Sequence, residues 1–278
     1  MNMGKDNHQR VCRSLIPLGL LIYFLCGILF VEPVREAHAG GDGQSVPDVS
    51  LCSEPLFKLT PKQLSISLWA QEVVAAKVGG KVPRQNIHDL DTLYREAAVA
   101  DKDLKRMTRA VAARTGGTAV FPPGGGLKGR KRAKEKIEVE LGGDASLLMD
   151  ISRSSIEYDD VDQVYQALEF ILHQGYEVVR LKDRALEPLP SGFWDIHLNL
   201  CMPKGHIAEL QLHVREIRQY SIEQGHDRYE QIRDMEARAA RENRSLTPEE
   251  RATIDRLNCE QRQVYQAAFE RSQKGKDR

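Results

Sequence analysis

Apolar residues recur along this chain in three rhythms. They run almost unbroken from 15 to 31, return every three or four positions from 90 to 112, and alternate with polar residues from 194 to 214. A spacing of three to four marks one face of a helix, and strict alternation marks a strand covered on one side. Leu90, Leu93, Tyr94, Ala97 and Ala98 form one stripe, continued by Leu104, Met107, Val111 and Ala112, so residues 56–119 are expected to be helical, interrupted at Gly79-Gly80 and Pro83. Pro122-Pro123-Gly124-Gly125-Gly126 breaks the chain, and a short basic helix follows it. Beyond that point strand and helix signals alternate: a strand at 154–158, a helix at 161–173 with Val164, Leu168, Ile171 and Leu172 inward, and a strand at 176–181. Strands at 194–202 and 206–214 flank Pro203-Lys204-Gly205, which predicts an antiparallel hairpin. Near the C-terminus, Thr247-Pro248-Glu249-Glu250 is a capping box, and Ile254, Leu257, Val264, Tyr265 and Ala268 line a final helix.

The unbroken run belongs to a leader. Lys5, Arg10 and Arg13 precede it, and Ala37-His38-Ala39 before Gly40 has the small-x-small form of an export cleavage site. Residues 1–39 therefore read as a signal peptide cut after Ala39. The alternative is an uncleaved membrane anchor, because the run is long enough to cross a bilayer. Both export the rest of the chain, to the periplasm or outside the cell, and contact with a membrane is expected only through an uncleaved segment. Lipidation at Cys26 is disfavoured, since Tyr23-Phe24-Leu25 lacks small residues. Residues 40–55, rich in Gly, Ser, Pro and Asp, read as a linker. The expected organisation is then a helical region over 56–119, an α+β region over 120–235 with a mixed or antiparallel sheet flanked by helices, and a C-terminal helix over 236–278.

Charge narrows the partners. The 278 residues carry 40 Lys and Arg against 40 Asp and Glu, and losing residues 1–39 would leave a net charge of −1. A chain that coats nucleic acid by bulk charge is excluded, and DNA is not an expected partner. Basic surface must be local, as from 127 to 136, where six Lys or Arg face one Glu. Cys52, Cys201 and Cys259 remain after the leader at unrelated spacings, which indicates neither a zinc site nor a disulfide framework. One disulfide fits an oxidising compartment, with Cys52 as a partner.

The hairpin carries the chemistry. Alternation places Asp195, His197 and Asn199 on one face of its first strand, and Glu209, Gln211 and His213 on one face of its second. A solvated sheet face is the plain alternative, but such faces are rich in Thr, Lys and Ser. Here six positions hold two carboxylates, two imidazoles and two carboxamides, groups that bind a metal ion, accept a proton or read a nucleobase.

The order Asp150-Ile151, then Arg180-Leu181-Lys182-Asp183-Arg184, Pro188 to Gly192-Phe193, His197 and Glu209-Leu210-Gln211-Leu212 resembles the RelA/SpoT-like synthetase domain of the nucleotidyltransferase fold, over roughly 120–235. The segment Gly225-His226-Asp227-x-Tyr229-Glu230 is similar to the helix that follows the family's last strand. The resemblance implies ATP as donor of pyrophosphate, a guanosine nucleotide (GTP or GDP) as acceptor, Mg²⁺ as cofactor, and ppGpp or pppGpp as product. By motif, Asp150 and Glu209 would hold the metal, Glu209 would orient or deprotonate the acceptor hydroxyl, and Phe193 would stack on the acceptor base in place of the family's usual Tyr. Lys128, Arg132, Lys136, Arg153, Lys182, His197 and Gln211 would contact the nucleotides. The chain departs from the family at three motifs, one of them the last, which ends in His213-Val214 where a basic residue followed by Thr is usual. Asp150-Ile151-Ser152-Arg153-Ser154-Ser155 has Arg where Gly is usual and Ser where Arg is usual, and alternation keeps positions 153 and 155 on one face. In the donor motif R-x-K-x-x-x-S, Gly126 and Arg132 stand in the Arg and Ser positions around Lys128.

Three classes of function stay open: a pyrophosphotransferase acting on a nucleotide or an RNA 3′ end, a nucleotide- or RNA-binding module with an altered site, and an interaction protein of the envelope. Export bears on the first, because little ATP or GTP exists outside the cytoplasm, so an exported enzyme would act after delivery into another cell. His88-Asp89 reads as a helix start, Trp69 as core, and His226 with Tyr229 as either sheet packing or a site wall.

Overall fold

The computed structural model describes residues 57–273. The leader and the linker, with the expected cleavage point and Cys52, lie outside the described residues. Five short segments of alternating sequence form one mixed sheet: β1 (Thr118–Val120), β2 (Arg153–Tyr158), β3 (Val178–Asp183), β4 (Ile196–Cys201) and β5 (Ile207–Val214). Their order is β1-β2-β5-β4-β3. β2 and β5 run parallel, and the other neighbours are antiparallel. The β4–β5 turn closes on Gly205, whose φ of 87° suits glycine and few other residues.

Helices α1 (Pro61–Val78), α2 (Leu90–Thr115) and α4 (Val161–His173) pack against the sheet. Thr60 and Gln63 form a capping box on α1, Asp89 caps α2 and Asp160 caps α4, so the His88-Asp89 pair is a helix start as expected. The covered face is apolar: Ile156, Leu198, Leu210 and Leu212 are fully buried in one core with Val164, Leu168 and Ile171 of α4. Burial of such side chains contributes about 1.5–3 kcal/mol each. Trp69 is half-buried at the rim of this core, its ring 4.9 Å from that of His173.

α3 (Arg130–Glu140) is held separately. Ala133 and Ile137 of this basic helix pack with Leu93, Tyr94 and Ala97 of α2 and with Leu148 and Ile151. The α2 stripe beginning at Leu90 therefore seats α3, and the stripe from Leu104 joins the main core.

After β5 the chain continues as α5 (Arg215–Tyr220), a π-helical stretch at Ser221–Gly225, α6 (His226–Arg241) and α7 (Pro248–Gln273). The Thr247–Glu250 capping box starts α7. No described helix is long and apolar enough to cross a membrane.

The expected divisions of the chain need correction. The boundary at 119/120 falls inside β1, a strand too short for its periodicity to be read. The boundary at 235/236 falls inside α6, so 236–278 is not a single helix but the end of α6 followed by α7. α7 also belongs to the main core: Phe269 meets Trp194 edge-on at 5.1 Å, and Tyr265 meets Phe193 at 5.5 Å.

Gly225 ends the π-helical stretch directly beneath buried Tyr265, and a Cβ there would overlap the Tyr265 hydroxyl. Gly225→Ala is expected to destabilise the fold by about 1–3 kcal/mol through overpacking. Thermal denaturation of Gly225→Ala with and without Tyr265→Phe checks this, since removing the hydroxyl should recover much of the loss.

Candidate active site

The face of the sheet opposite the main core is polar across four strands. On β5 it carries Glu209, Gln211 and His213. Asn199 and His197 of β4 stand opposite Glu209 and Gln211, and Arg180 and Lys182 of β3 stand opposite Asn199 and His197. On the other side, Arg153 and Ser155 of β2 sit beside Glu209 and Gln211. Arg153 and Ser155 thus share this face, as alternation requires.

Asp150 enters the cleft from the segment leading into β2. Its Oδ2 accepts hydrogen bonds from Lys128 Nζ at 2.7 Å and Lys136 Nζ at 2.8 Å. Burial alone would raise the Asp150 pKa, but the Lys136 and Lys128 ammonium groups outweigh it and bring it down to about 2. Lys128 is lowered by burial despite its bond to Asp150. For Lys136, burial is outweighed by attraction first to Asp150 and then to Glu209, and its pKa rises. Lys136 therefore stands in the field of both carboxylates.

Glu209 is buried and its Oε2 lies 3.1 Å from His197 Nε2. Burial pushes the His197 pKa down, but Glu209 and Asp195 together pull it above the usual imidazole value. The ring is thereby favoured as a cation paired to Glu209. Asp195 is fully enclosed, and burial pushes its pKa up to about 6.

Two buried oxygens in this region have no hydrogen-bond partner, Asp150 Oδ1 and Asn199 Oδ1. Unpaired carboxylate and carboxamide oxygens beside Glu209 suit a hard cation, because Mg²⁺ is commonly held by one or two carboxylates and completed by water and phosphate. The residues therefore fit magnesium. No group of three or more His, Cys, Asp or Glu gathers around one point among the described residues, so protein ligands alone would leave much of the coordination shell to other oxygens.

The structure brings together Lys128, Lys136, Asp150, Arg153, Lys182, His197, Glu209 and Gln211. Arg132 pairs with Glu135 at 3.2 Å and approaches Glu140 at 3.9 Å. The half-buried Phe193 ring packs on His213 at 5.9 Å and on Tyr265. Burial lowers the His213 pKa to about 3, so the ring next to Phe193 is neutral.

Arg180 enters the sequence motif without an assigned role, although it lies two positions before Lys182 on the same strand face. The Asp of the Lys182-Asp183-Arg184 motif faces the core instead. Its carboxylate accepts hydrogen bonds from Ser67 Oγ at 2.6 Å, Tyr165 Oη at 2.7 Å and the Ala185 amide at 2.9 Å, tying β3 to α1 and α4.

The chain is similar to small alarmone synthetases. Small alarmone synthetase 2 from Bacillus subtilis is 15% identical over 65% of this chain and 94% of that one, with a TM-score of 0.47. A GTP pyrophosphokinase family protein from Streptococcus pneumoniae is 15% identical over 65% and 91%, at 0.46. A chain from the complex between the Type VI effector Tas1 and its immunity protein is 20% identical over 65% and 96%, at 0.49. No protein-family model and no curated protein matches the sequence.

Among the remaining cysteines, Cys201 at the end of β4 is disulfide-bonded.

The Asp195 shift has a sign that can be tested. An Asp whose folded pKa is raised from 3.8 to about 6 costs no stability below pH 3.8 and an increasing amount as pH rises through 6, roughly 3 kcal/mol in full. Asp195→Asn is expected to match the wild type near pH 3.5 and to exceed it in stability at pH 7.5, as read from denaturant unfolding at the two pH values.

Proposed function

We propose that this chain is a RelA/SpoT-like pyrophosphotransferase, which moves pyrophosphate from ATP to the 3′-hydroxyl of a guanosine nucleotide or of another nucleotide or RNA end. The observation that carries the reading is the meeting of Asp150, Lys128, Lys136, Glu209 and His197 in one cleft. Transfer of this kind needs positioning and charge stabilisation rather than a covalent nucleophile. The cleft offers both.

Lys128 and Lys136 bind the phosphate oxygens as fixed cations, held in place by Asp150. Magnesium, held by Asp150 and Glu209, would neutralise charge on the phosphates. Glu209 accepts the proton of the acceptor hydroxyl, and His197 keeps that carboxylate oriented. The hydroxyl oxygen forms a bond to the β-phosphorus of ATP, the bridge to the α-phosphate breaks, and AMP leaves. Arg180 and Lys182, both half-buried on the same face, face the transferred group across β4. Phe193 offers the acceptor base a half-exposed ring.

A second reading, a nucleotide-binding module with altered chemistry, is favoured by Ser155 in the position where the family carries Arg. Incubation of the full chain with labelled ATP and a panel of acceptors, with and without Mg²⁺, separates the two. On the enzyme reading, Glu209→Gln lowers turnover about 10²–10⁴-fold with nucleotide binding kept, since a carboxamide cannot take the proton. Asp150→Asn lowers turnover and magnesium dependence together. Phe193→Ala mainly weakens acceptor binding, by roughly 1–3 kcal/mol. Equal turnover of wild type and Glu209→Gln would sink this assignment.

The proposal includes export, with a mature N-terminus at Gly40 and action in a second cell that supplies the nucleotides. Mass spectrometry of the protein from its host tests the cleavage, and intact residues 1–39 in membranes would establish an anchor instead.

A further inference from the structure

The run Pro122-Pro123-Gly124-Gly125-Gly126 leads into Lys128, yet its glycines have no side chains with which to hold a position. Gly124 and Gly125 both take positive φ, at 70° and 62°. The loop is fastened from outside, by α2. At its start, the Phe121 ring lies 4.7 Å from the Arg109 guanidinium and 6.0 Å from Lys105 Nζ. At its end, Lys105 Nζ donates a hydrogen bond to the Gly125 carbonyl, and Tyr94 Oη donates one to the carbonyl of Lys128 itself.

Lys105 is also paired with Asp101, one turn earlier on the same helix. The two side chains are only 20% and 12% exposed, so solvent screens the pair weakly. Asp101 Oδ1 accepts a hydrogen bond from the hydroxyl of fully buried Ser152 at 3.1 Å. Ser152 stands two positions after Asp150, and its carbonyl accepts from the Glu209 amide at 3.0 Å. The Ile151 carbonyl accepts from the Lys128 amide at 2.9 Å. One ion pair on α2 is thus joined to the loop that leads to Lys128, to the segment that carries Asp150 and, through Ser152, to the strand that carries Glu209.

We infer that Asp101 and Lys105 are positioning residues, which fix the separation between the Lys128 ammonium and the Asp150 and Glu209 carboxylates. The inference rests on the pyrophosphotransferase reading for its effect on turnover, and adds to it two residues of α2 outside the motifs. A displacement of about 1 Å at a reacting group can cost about 10²-fold in rate. A loop of glycines has little stiffness of its own to prevent one.

Hydrogen exchange, calorimetric titration with inorganic tripolyphosphate and Mg²⁺, and turnover of the full chain test this in wild type, Lys105→Met and Lys105→Arg. Lys105→Met keeps most of the apolar stem and removes the ammonium group. In that variant the amides of residues 124–128 are expected to exchange about tenfold faster and tripolyphosphate to bind about tenfold more weakly, while kcat falls about 10–100-fold with little change in the acceptor KM. Lys105→Arg keeps the charge and the donors, and should stay close to wild type in all three measurements. Lys105→Met leaves the buried Asp101 carboxylate without its cation, so Asp101→Asn combined with Lys105→Met replaces it if the single variant does not fold, with the same loop effects expected. Unchanged loop exchange and tripolyphosphate affinity in the folded variant overturn the positioning role and leave the enzyme reading intact. A wild-type chain that binds tripolyphosphate but transfers no pyrophosphate overturns the enzyme reading, and loop exchange and affinity then decide the positioning role alone. A wild-type chain that does not bind tripolyphosphate overturns both.

Discussion

Parallel pairing of β2 with β5 is the constraint on which the cleft depends. Parallel neighbours cannot be joined by a tight turn, so the chain leaves β2, builds α4, β3 and β4, and returns before β5 can dock. That docking sets Arg153 beside Glu209 and brings the segment carrying Asp150 to the same edge of the cleft. Residues about sixty positions apart thereby share one electrostatic environment. A slip of one residue in this register would turn Glu209 into the apolar core, which α4 would not tolerate.

Charge burial in the cleft is arranged in compensating sets. Asp150 is matched by two ammonium groups, and Glu209 by the His197 imidazole. Pairing alone rarely makes buried charge stabilising, because desolvation offsets most of the attraction. Asp195, attracted by His197 and by Arg184 at 3.9 Å, is still pushed up by burial, which neither charge outweighs. Asp183 shows the other solution on the opposite face: three hydrogen bonds from uncharged donors and, among the described residues, no ion pair. The motif that contains it therefore divides by alternation, with Lys182 toward the cleft and Asp183 toward the scaffold.

The C-terminal helices extend the sheet's own packing. Tyr265 and Phe269 of α7 reach the loop carrying Phe193 and Trp194, and Tyr265 is itself met edge-on by Tyr220 at 5.0 Å. α6, which follows the π-helical stretch, packs against α3, and α7 packs beside Phe193, so the helices after β5 flank both sides of the site.

Local sequence determined the elements whose signals are local. The helix at 161–173, the β4–β5 hairpin, the capping box at Thr247 and the polar face of Glu209, Gln211 and His197 all follow from spacing, turn residues and caps, because these depend on neighbours within a few positions. β1 escaped such reading, since three residues cannot show a period, and its strand character comes from pairing with β2. Arg132 and Phe193 have residue types that suit nucleotide contact, but Arg132 pairs with Glu135 and Glu140 of its own helix, and Phe193 packs on His213 and on Tyr265 of α7. Only the tertiary structure decided that Lys136 bonds Asp150 within the field of Glu209, and that Asp183 serves the core. Those outcomes depend on strand register and helix docking between residues far apart in the chain, where distance and desolvation, rather than local periodicity, govern which charges meet.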